Sequence, residues 1–308
     1  MTLSSAPGKI ILFGEHAVVY GRPALAVPVT QVHADVDISN SSRAGIWIDA
    51  PDVNLRADLN TLHSDHPIPS VIHNFLFLAR VSRFPNLQIK ITSTIPVASG
   101  LGSGAAVTVA LTRALAAHLN YSMTDEEVNA FTYEIEKLHH GTPSGIDNTV
   151  VTYAKPVYFV KGQPIETFKV GRPFTIVIAD TGISAPTKES VGDVRKLWEA
   201  DQQRWESVFD QVGKMVGQAR KVIENGKWEM LGELMNKNHS LLQDMTVSSP
   251  ELDHLVEGAR NAGALGAKLS GGGRGGNIIA LVNPEIAESV SSSLKETGAE
   301  NTIITQVL

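Results

Sequence analysis

Pro96-Val97-Ala98-Ser99-Gly100-Leu101-Gly102-Ser103-Gly104-Ala105-Ala106 runs straight into a segment rich in alanine and valine. The stretch reads as a glycine-punctuated loop delivering the N-terminus of a buried helix. Such a loop leaves several backbone N–H groups aligned with the positive end of the helix dipole, a seat for an anion and most often for a phosphate. No Gly-Lys-Ser/Thr follows four residues after a leading glycine, which excludes a Walker A loop, and the spacing is not that of a Gly-x-Gly-x-x-Gly dinucleotide turn. The loop points to phosphate handling outside the two commonest nucleotide folds. The competing reading is a tight turn whose glycines serve only close packing. Ser99 and Ser103 favour the anion site, because they add side-chain donors beside the glycines.

Outward from the loop, Ser103–Leu119 is apolar on nearly every side and reads as a central helix. Residues 8–13 form a short apolar strand ended by Gly14, and Val32–Ser39 and Leu87–Ile95 alternate as half-buried strands do. Thr124 with Glu127 makes a capping box for a helix running to about His139, which Gly141-Thr142-Pro143-Ser144-Gly145 breaks. Val151–Val160 and Phe174–Asp180 look like strands, with the Gly171-Arg172-Pro173 turn as the candidate boundary between domains 1–171 and 172–308. Beyond it, helical patterns occupy about Ala200–Asn225, Lys227–Met245 and Pro250–Asn261. A strand near Ala267–Leu269, a glycine cluster, a strand at Asn277–Val282, a helix at Pro284–Thr297 and a strand at Thr302–Leu308 complete the chain. The expected class is α+β with two domains.

A chain of 308 residues with 43% hydrophobic content and mean hydropathy near zero has material for a sizeable core. Its formal charge of −6 and lack of long basic runs argue against a general nucleic-acid binder. Cysteine is absent, which removes disulfides, thiol nucleophiles and zinc thiolates. With neither a leader pattern nor an 18-residue apolar stretch, the expected location is cytoplasmic and no membrane partner is expected.

Three further clusters carry chemistry. In Pro7-Gly8-Lys9-Ile10-Ile11-Leu12-Phe13-Gly14-Glu15-His16-Ala17-Val18-Val19-Tyr20-Gly21, a lysine opens an apolar strand and Glu15 and His16 follow the glycine that ends it. Strand ends of this kind feed active sites, although a solvated lysine and an ordinary polar turn would use the same letters. Glu136 near a helix end and Asp147 after the Pro/Gly turn bracket a rigid bend. That arrangement suits one carboxylate for Mg²⁺ and one for a base, while each alone reads equally as a solvated charge or cap. His139-His140 reads as local hydrogen bonding, since Mg²⁺ avoids imidazole. Ser270-Gly271-Gly272-Gly273-Arg274-Gly275-Gly276 sits between strands, where backbone must approach another group closely.

In this order and spacing, the clusters resemble the three motifs of the GHMP small-molecule kinases, from Ala6 to about Leu281. The first motif and the Gly141–Asn148 segment are most similar to the mevalonate-phosphorylating branch. The resemblance implies a ribosomal-S5-like N-terminal domain and a ferredoxin-like C-terminal domain. It implies transfer of a phosphoryl group from ATP, with Mg²⁺, to the C5 hydroxyl of mevalonate, and a homodimer. Asp147 would take the hydroxyl proton, and Lys9 would pair with it and stabilise charge. Glu136, with Ser103, would hold Mg²⁺. Glu15, His16, Gly145 and Thr187 would contact mevalonate. Pro96, Ser99, Gly100, Leu101, Gly102, Ser103, Gly104, Ala105, Ala106, Gly272 and Arg274 would cradle the nucleotide phosphates. All of these roles require Lys9, Asp147 and the loop to converge on one cleft.

Three positions depart from the family pattern. Gly104 stands where a magnesium-touching serine is usual, Arg274 interrupts the glycine run of the third motif, and Ala185 replaces a frequent arginine. Arg274 would place a cation near the phosphates and offset the missing hydroxyl. Two other functions fit the same fold: a sister kinase acting on phosphomevalonate or another mevalonate hydroxyl, and a non-catalytic ligand sensor. The first motif offers no cation beyond Lys9 for a substrate phosphate, and Lys9, Glu136 and Asp147 are retained together; both facts favour mevalonate phosphorylation.

Overall fold

The computed structural model describes residues 1–63, 66–96, 99–140, 143–184 and 187–308, with backbone only at 139 and 140. Residues 97–98 of the phosphate loop, 141–142 of the Pro/Gly turn, 185–186 and the imidazoles of the 139–140 pair therefore lie outside the described residues. The chain forms two compact units interleaved in sequence: Met1–Gly8, Val32–Val97 and Leu101–Ala154 make the first, and Lys9–Gln31, Ala98–Gly100 and Lys155–Leu308 the second. They interleave because two long strands, β1 (Thr2–Phe13) and β2 (Ala24–Asn40), each pass from one unit into the other.

The first unit contains the C-terminal half of β2, β3 (Ile46–Ala50), β4 (Leu55–Asp58), α1 (Pro67–Leu78), β5 (Leu87–Ser93), α2 (Ser103–His118), α3 (Asp125–His140) and α4 (Ile146–Tyr153). β2 pairs antiparallel with β5, with Ala34 opposite Ser93, and β3 lies parallel to β5 and antiparallel to β4. The alternation of buried and half-exposed residues along β5 is that of a strand with one covered face. α2 is buried nearly all round, as its apolar letters require. The capping box at the start of α3 forms reciprocally: Thr124 N–H donates to Glu127 Oε2 at 2.7 Å and Glu127 N–H to Thr124 Oγ1 at 3.2 Å.

The strand expected at Val151–Val160 is corrected. Residues 146–153 are helix α4, and only β6 (Val157–Phe159) is strand. Gly145, at φ 92, turns the chain into α4, and Thr149 Oγ1 donates back to the Gly145 carbonyl at 2.6 Å. Packing of the β-branched Val150, Val151 and Thr152 on the helices around them outweighs their strand preference.

The second unit holds β6, β7 (Glu166–Thr167), β8 (Phe174–Asp180), α5 (Thr187–Ala200), α6 (Gln202–Glu224), α7 (Leu231–Asp244), α8 (Pro250–Asn261), β9 (Gly266–Ser270), β10 (Asn277–Val282), α9 (Ala287–Glu296) and β11 (Asn301–Val307). Its four-stranded antiparallel sheet runs β11-β8-β10-β9, the order of a ferredoxin-like βαββαβ unit. Helix α5 was not anticipated; Asp201 ends it and caps α6 by accepting from Arg204 N–H at 3.0 Å. No helix among the described residues is long and apolar enough to cross a membrane.

Candidate active site

In the second unit, β1 ends in a turn that only glycine permits. Gly14 has φ +104, and a Cβ there would lie 2.5 Å from Ala24 Cα. The next two side chains, Glu15 and His16, are consequently driven inward and are buried. Glu15 Oε1 lies 2.5 Å from the ammonium of Lys268 on β9, and the two side chains are 1% and 0% exposed. Burial pushes the Lys268 pKa down, against the opposing pull of Glu15.

His16 Nε2 is 3.1 Å from the Gly272 carbonyl, so Nε2 carries the proton and donates. Burial lowers its pKa to about 4, so the ring is neutral and Nδ1 is a bare acceptor. Glu15 Oε2 and His16 Nδ1 are both buried without a hydrogen-bond partner in the protein, among the described residues. Two orphaned acceptors on consecutive residues suit a ligand that donates, such as a hydroxylated one.

The glycine-rich loop between β9 and β10 packs closely against this pair. A Cβ on Gly272 would sit 2.8 Å from Thr187 Oγ1, so Thr187 at the start of α5 lies against the loop. Ser270 Oγ donates to the Ile11 carbonyl at 2.8 Å. Arg274 adopts the left-handed region, φ 61, where the resembled pattern has glycine. Its N–H donates to the Val247 carbonyl at 2.8 Å, and its guanidinium donates to Asp193 Oδ2 at 2.6 Å. Much of the cation's field is therefore met by Asp193, whose own pKa is lowered by Lys196 and Arg274. Asn277 Nδ2 donates to the Ser99 carbonyl, and Gly100 lies against the same amide. The unit thus gathers Glu15, His16, Ser99, Gly100, Thr187, Gly272 and Arg274. Lys9, 4% exposed, lies on β1 of this unit.

The first unit holds the other expected site residues. Gly102, φ 76, is the N-cap of α2, and the first-turn N–H groups of Ser103, Gly104 and Ala105 have no intrahelical acceptor. Leu101, Ala105 and Ala106 are buried and seat this end of the helix, while Pro96 is half-buried after β5. A Cβ on Gly104 would lie 3.5 Å from Glu136 Oε1, so the carboxylate of α3 faces the α2 terminus. Asp147 sits in the first turn of α4 just after Gly145, and Asn148 Nδ2 ties that turn to α3 through Asn129 Oδ1 at 2.6 Å. The hard carboxylate of Glu136 at this terminus fits Mg²⁺, which takes one or two protein carboxylates and leaves its remaining positions to phosphate and water, while the first-turn amides suit the phosphates themselves.

Lys268, Asp193 and Asn277 were missed by sequence reasoning. Lys268 had a signal: like Lys9, it is a lysine inside a strand of otherwise apolar and small residues, where an ammonium needs a buried partner.

The descriptions of the GHMP kinase N-terminal and C-terminal domains match residues 70–155 and 219–300. The mevalonate kinase of Pyrococcus abyssi is 37% identical over 97% of this chain and 93% of its own. Among solved structures, L. major mevalonate kinase in complex with R-mevalonate superposes with a TM-score of 0.88 at 30% identity, covering 100% of this chain and 96% of that one. The Methanococcus jannaschii mevalonate kinase gives 0.85 at 27%, covering 99% and 96%. With relatives this similar along its whole length, the chain belongs to the GHMP kinases and, within them, to the mevalonate kinase family.

Proposed function

We propose that this chain phosphorylates the C5 hydroxyl of mevalonate with ATP, giving 5-phosphomevalonate and ADP. The observation that carries the reading is likeness to mevalonate kinases over the full chain, one of them a mevalonate complex. The buried, donor-seeking Glu15 Oε2 and His16 Nδ1 support a hydroxylated substrate. His16, neutral and bare at Nδ1, accepts from a substrate hydroxyl rather than pairing with its carboxylate. Gly145 and Thr187 add contacts to the same molecule.

In the transfer, Asp147 receives the proton of the C5 hydroxyl as its oxygen bonds to the γ-phosphorus and the bond to ADP breaks. Lys9 offsets the negative charge growing on that oxygen. The amides at the start of α2, with Pro96, Ser99 through Ala106 and Gly272, hold the phosphates, and Arg274 adds what field Asp193 leaves it. Glu136 and Ser103 hold Mg²⁺, which when bound neutralises phosphate charge that would repel the nucleophile. Positioning and electrostatics supply most of the rate. The protein works as a cytoplasmic homodimer, the assembly its family implies.

A coupled ADP-release assay with ATP and Mg²⁺ tests the reading. Turnover with mevalonate and not with phosphomevalonate is expected. The reverse preference would make the chain the sister kinase, and no turnover with either would make it a sensor.

A further inference from the structure

β9 is the edge strand of the C-terminal sheet, pairing only with β10 among the described residues. An edge strand presents a row of unpaired N–H and C=O groups on its outer side. Here side chains from two helices meet them one by one. Ala267 N–H donates to Asn236 Oδ1 on α7 at 3.1 Å, and Arg260 on α8 donates to the Ala267 carbonyl at 2.9 Å. Two residues on, Leu269 N–H donates to His239 Nδ1 on α7 at 3.3 Å. The Leu269 carbonyl accepts from Lys268 Nζ at 2.6 Å, and the same ammonium grips Glu15.

His239 is buried and oriented from behind. With Nδ1 accepting from Leu269, Nε2 carries the proton and lies 3.1 Å from Asp253 Oδ1, an electrostatic contact outside good hydrogen-bond geometry, and Ser248 Oγ donates to that same oxygen at 2.5 Å. Burial, the largest influence, keeps the ring neutral by lowering its pKa to about 4, which leaves Nδ1 a lone-pair acceptor. A continuous chain of contacts therefore runs Ser248, Asp253, His239, Leu269, Lys268, Glu15.

We propose that His239 is a positioning residue for substrate binding: by accepting the Leu269 amide it fixes the edge of β9 and so holds the Lys268 ammonium on the Glu15 carboxylate. The inference rests on Glu15 binding substrate, as proposed above. The amides Asn and Gln test it as an isopolar pair. Asn at 239 puts its oxygen near the place of Nδ1, whereas Gln carries its oxygen out toward the place of Nε2 and leaves Leu269 N–H without an acceptor.

The experiment measures amide hydrogen exchange at Leu269 together with KM for mevalonate and for ATP in the full-length protein. For His239→Asn, Leu269 protection and both KM values are expected within about twofold of the parent. For His239→Gln, exchange at Leu269 is expected to quicken about tenfold and KM for mevalonate to rise about tenfold, on the scale of one lost buried hydrogen bond, with KM for ATP unchanged. Equal exchange and equal KM in the two variants would overturn the proposal, as would a parallel rise in both KM values. If the Gln variant does not fold, Asn236→Ala strips the neighbouring acceptor; faster exchange at Ala267 with raised KM for mevalonate supports the edge clamp, and unchanged exchange or unchanged KM overturns it. A parent protein inactive on mevalonate would defeat the functional reading, while the exchange contrast would still report on His239.

Discussion

Replacing Lys268 with methionine removes the cation from a pair in which neither side chain is more than 1% exposed. Two losses follow. Glu15 keeps a buried carboxylate with no counter-charge, and breaking a buried pair on one side costs about 3–5 kcal/mol. The Leu269 carbonyl also loses its 2.6 Å donor, worth about 1 kcal/mol. Together these are about 4–6 kcal/mol, and at roughly 2–4 °C per kcal/mol for chains of this general size the melting temperature should fall by about 8–24 °C. Lys268→Met with Glu15→Gln removes both charges and should regain most of that loss, stopping about 1 kcal/mol short because the Leu269 carbonyl stays unmet. Thermal and urea unfolding of the parent, the single variant and the double variant measure this. A single variant within 1 kcal/mol of the parent, or a double variant no better than the single, would refute the reasoning.

Three further outcomes are expected. Asp147→Asn should lower kcat more than 10²-fold on the scale of removing a general base, with melting temperature unchanged; undiminished kcat would remove Asp147 from proton transfer. His16 and His239 both have folded pKa values near 4, below the 6.5 of the free ring, so the unfolded chain binds more protons between those values. Stability should therefore be fully present above pH 6.5 and fall as pH drops toward 4, by up to about 2.7 kcal/mol per unit for the two rings together; a flat urea midpoint across pH 4.5–6.5 would contradict this. Gly104→Ser fits its site, since the new Cβ is at 3.5 Å from Glu136 Oε1 and the position carries no positive φ. It should lower the Mg²⁺ concentration for half-maximal rate several-fold and add about 0.5 kcal/mol of helix stability; a raised Mg²⁺ requirement would count against a metal held by Glu136.

The helices and strands that the letters spelled most clearly were those with unmixed periodicity and their own stops. Phe174–Asp180, Pro250–Asn261 and Asn277–Val282 are elements with those bounds, and Ser103–His118 differs by one residue from its reading. The reading failed where packing overrode local preference, as in the β-branched turn of α4, or where the start signal was unusual. α1 opens with Pro67, and its cap is the imidazole of His66, which accepts from Ile68 N–H, rather than a serine or aspartate. In the site, motif residues were legible because glycines and charged groups stand out against apolar strands. Their supports were not: Asp193, His239 and Asn277 are ordinary letters whose roles arise from contacts across 81, 30 and 178 residues of chain.

The most direct measurement is ³¹P NMR of the product formed from ATP, Mg²⁺ and R-mevalonate by the purified protein. A phosphomonoester on the C5 oxygen, formed in equal amount to ADP and absent with Asp147→Asn, is expected. ADP without a new phosphomonoester, or a phosphate on the C3 oxygen, would contradict C5 phosphorylation by this chain.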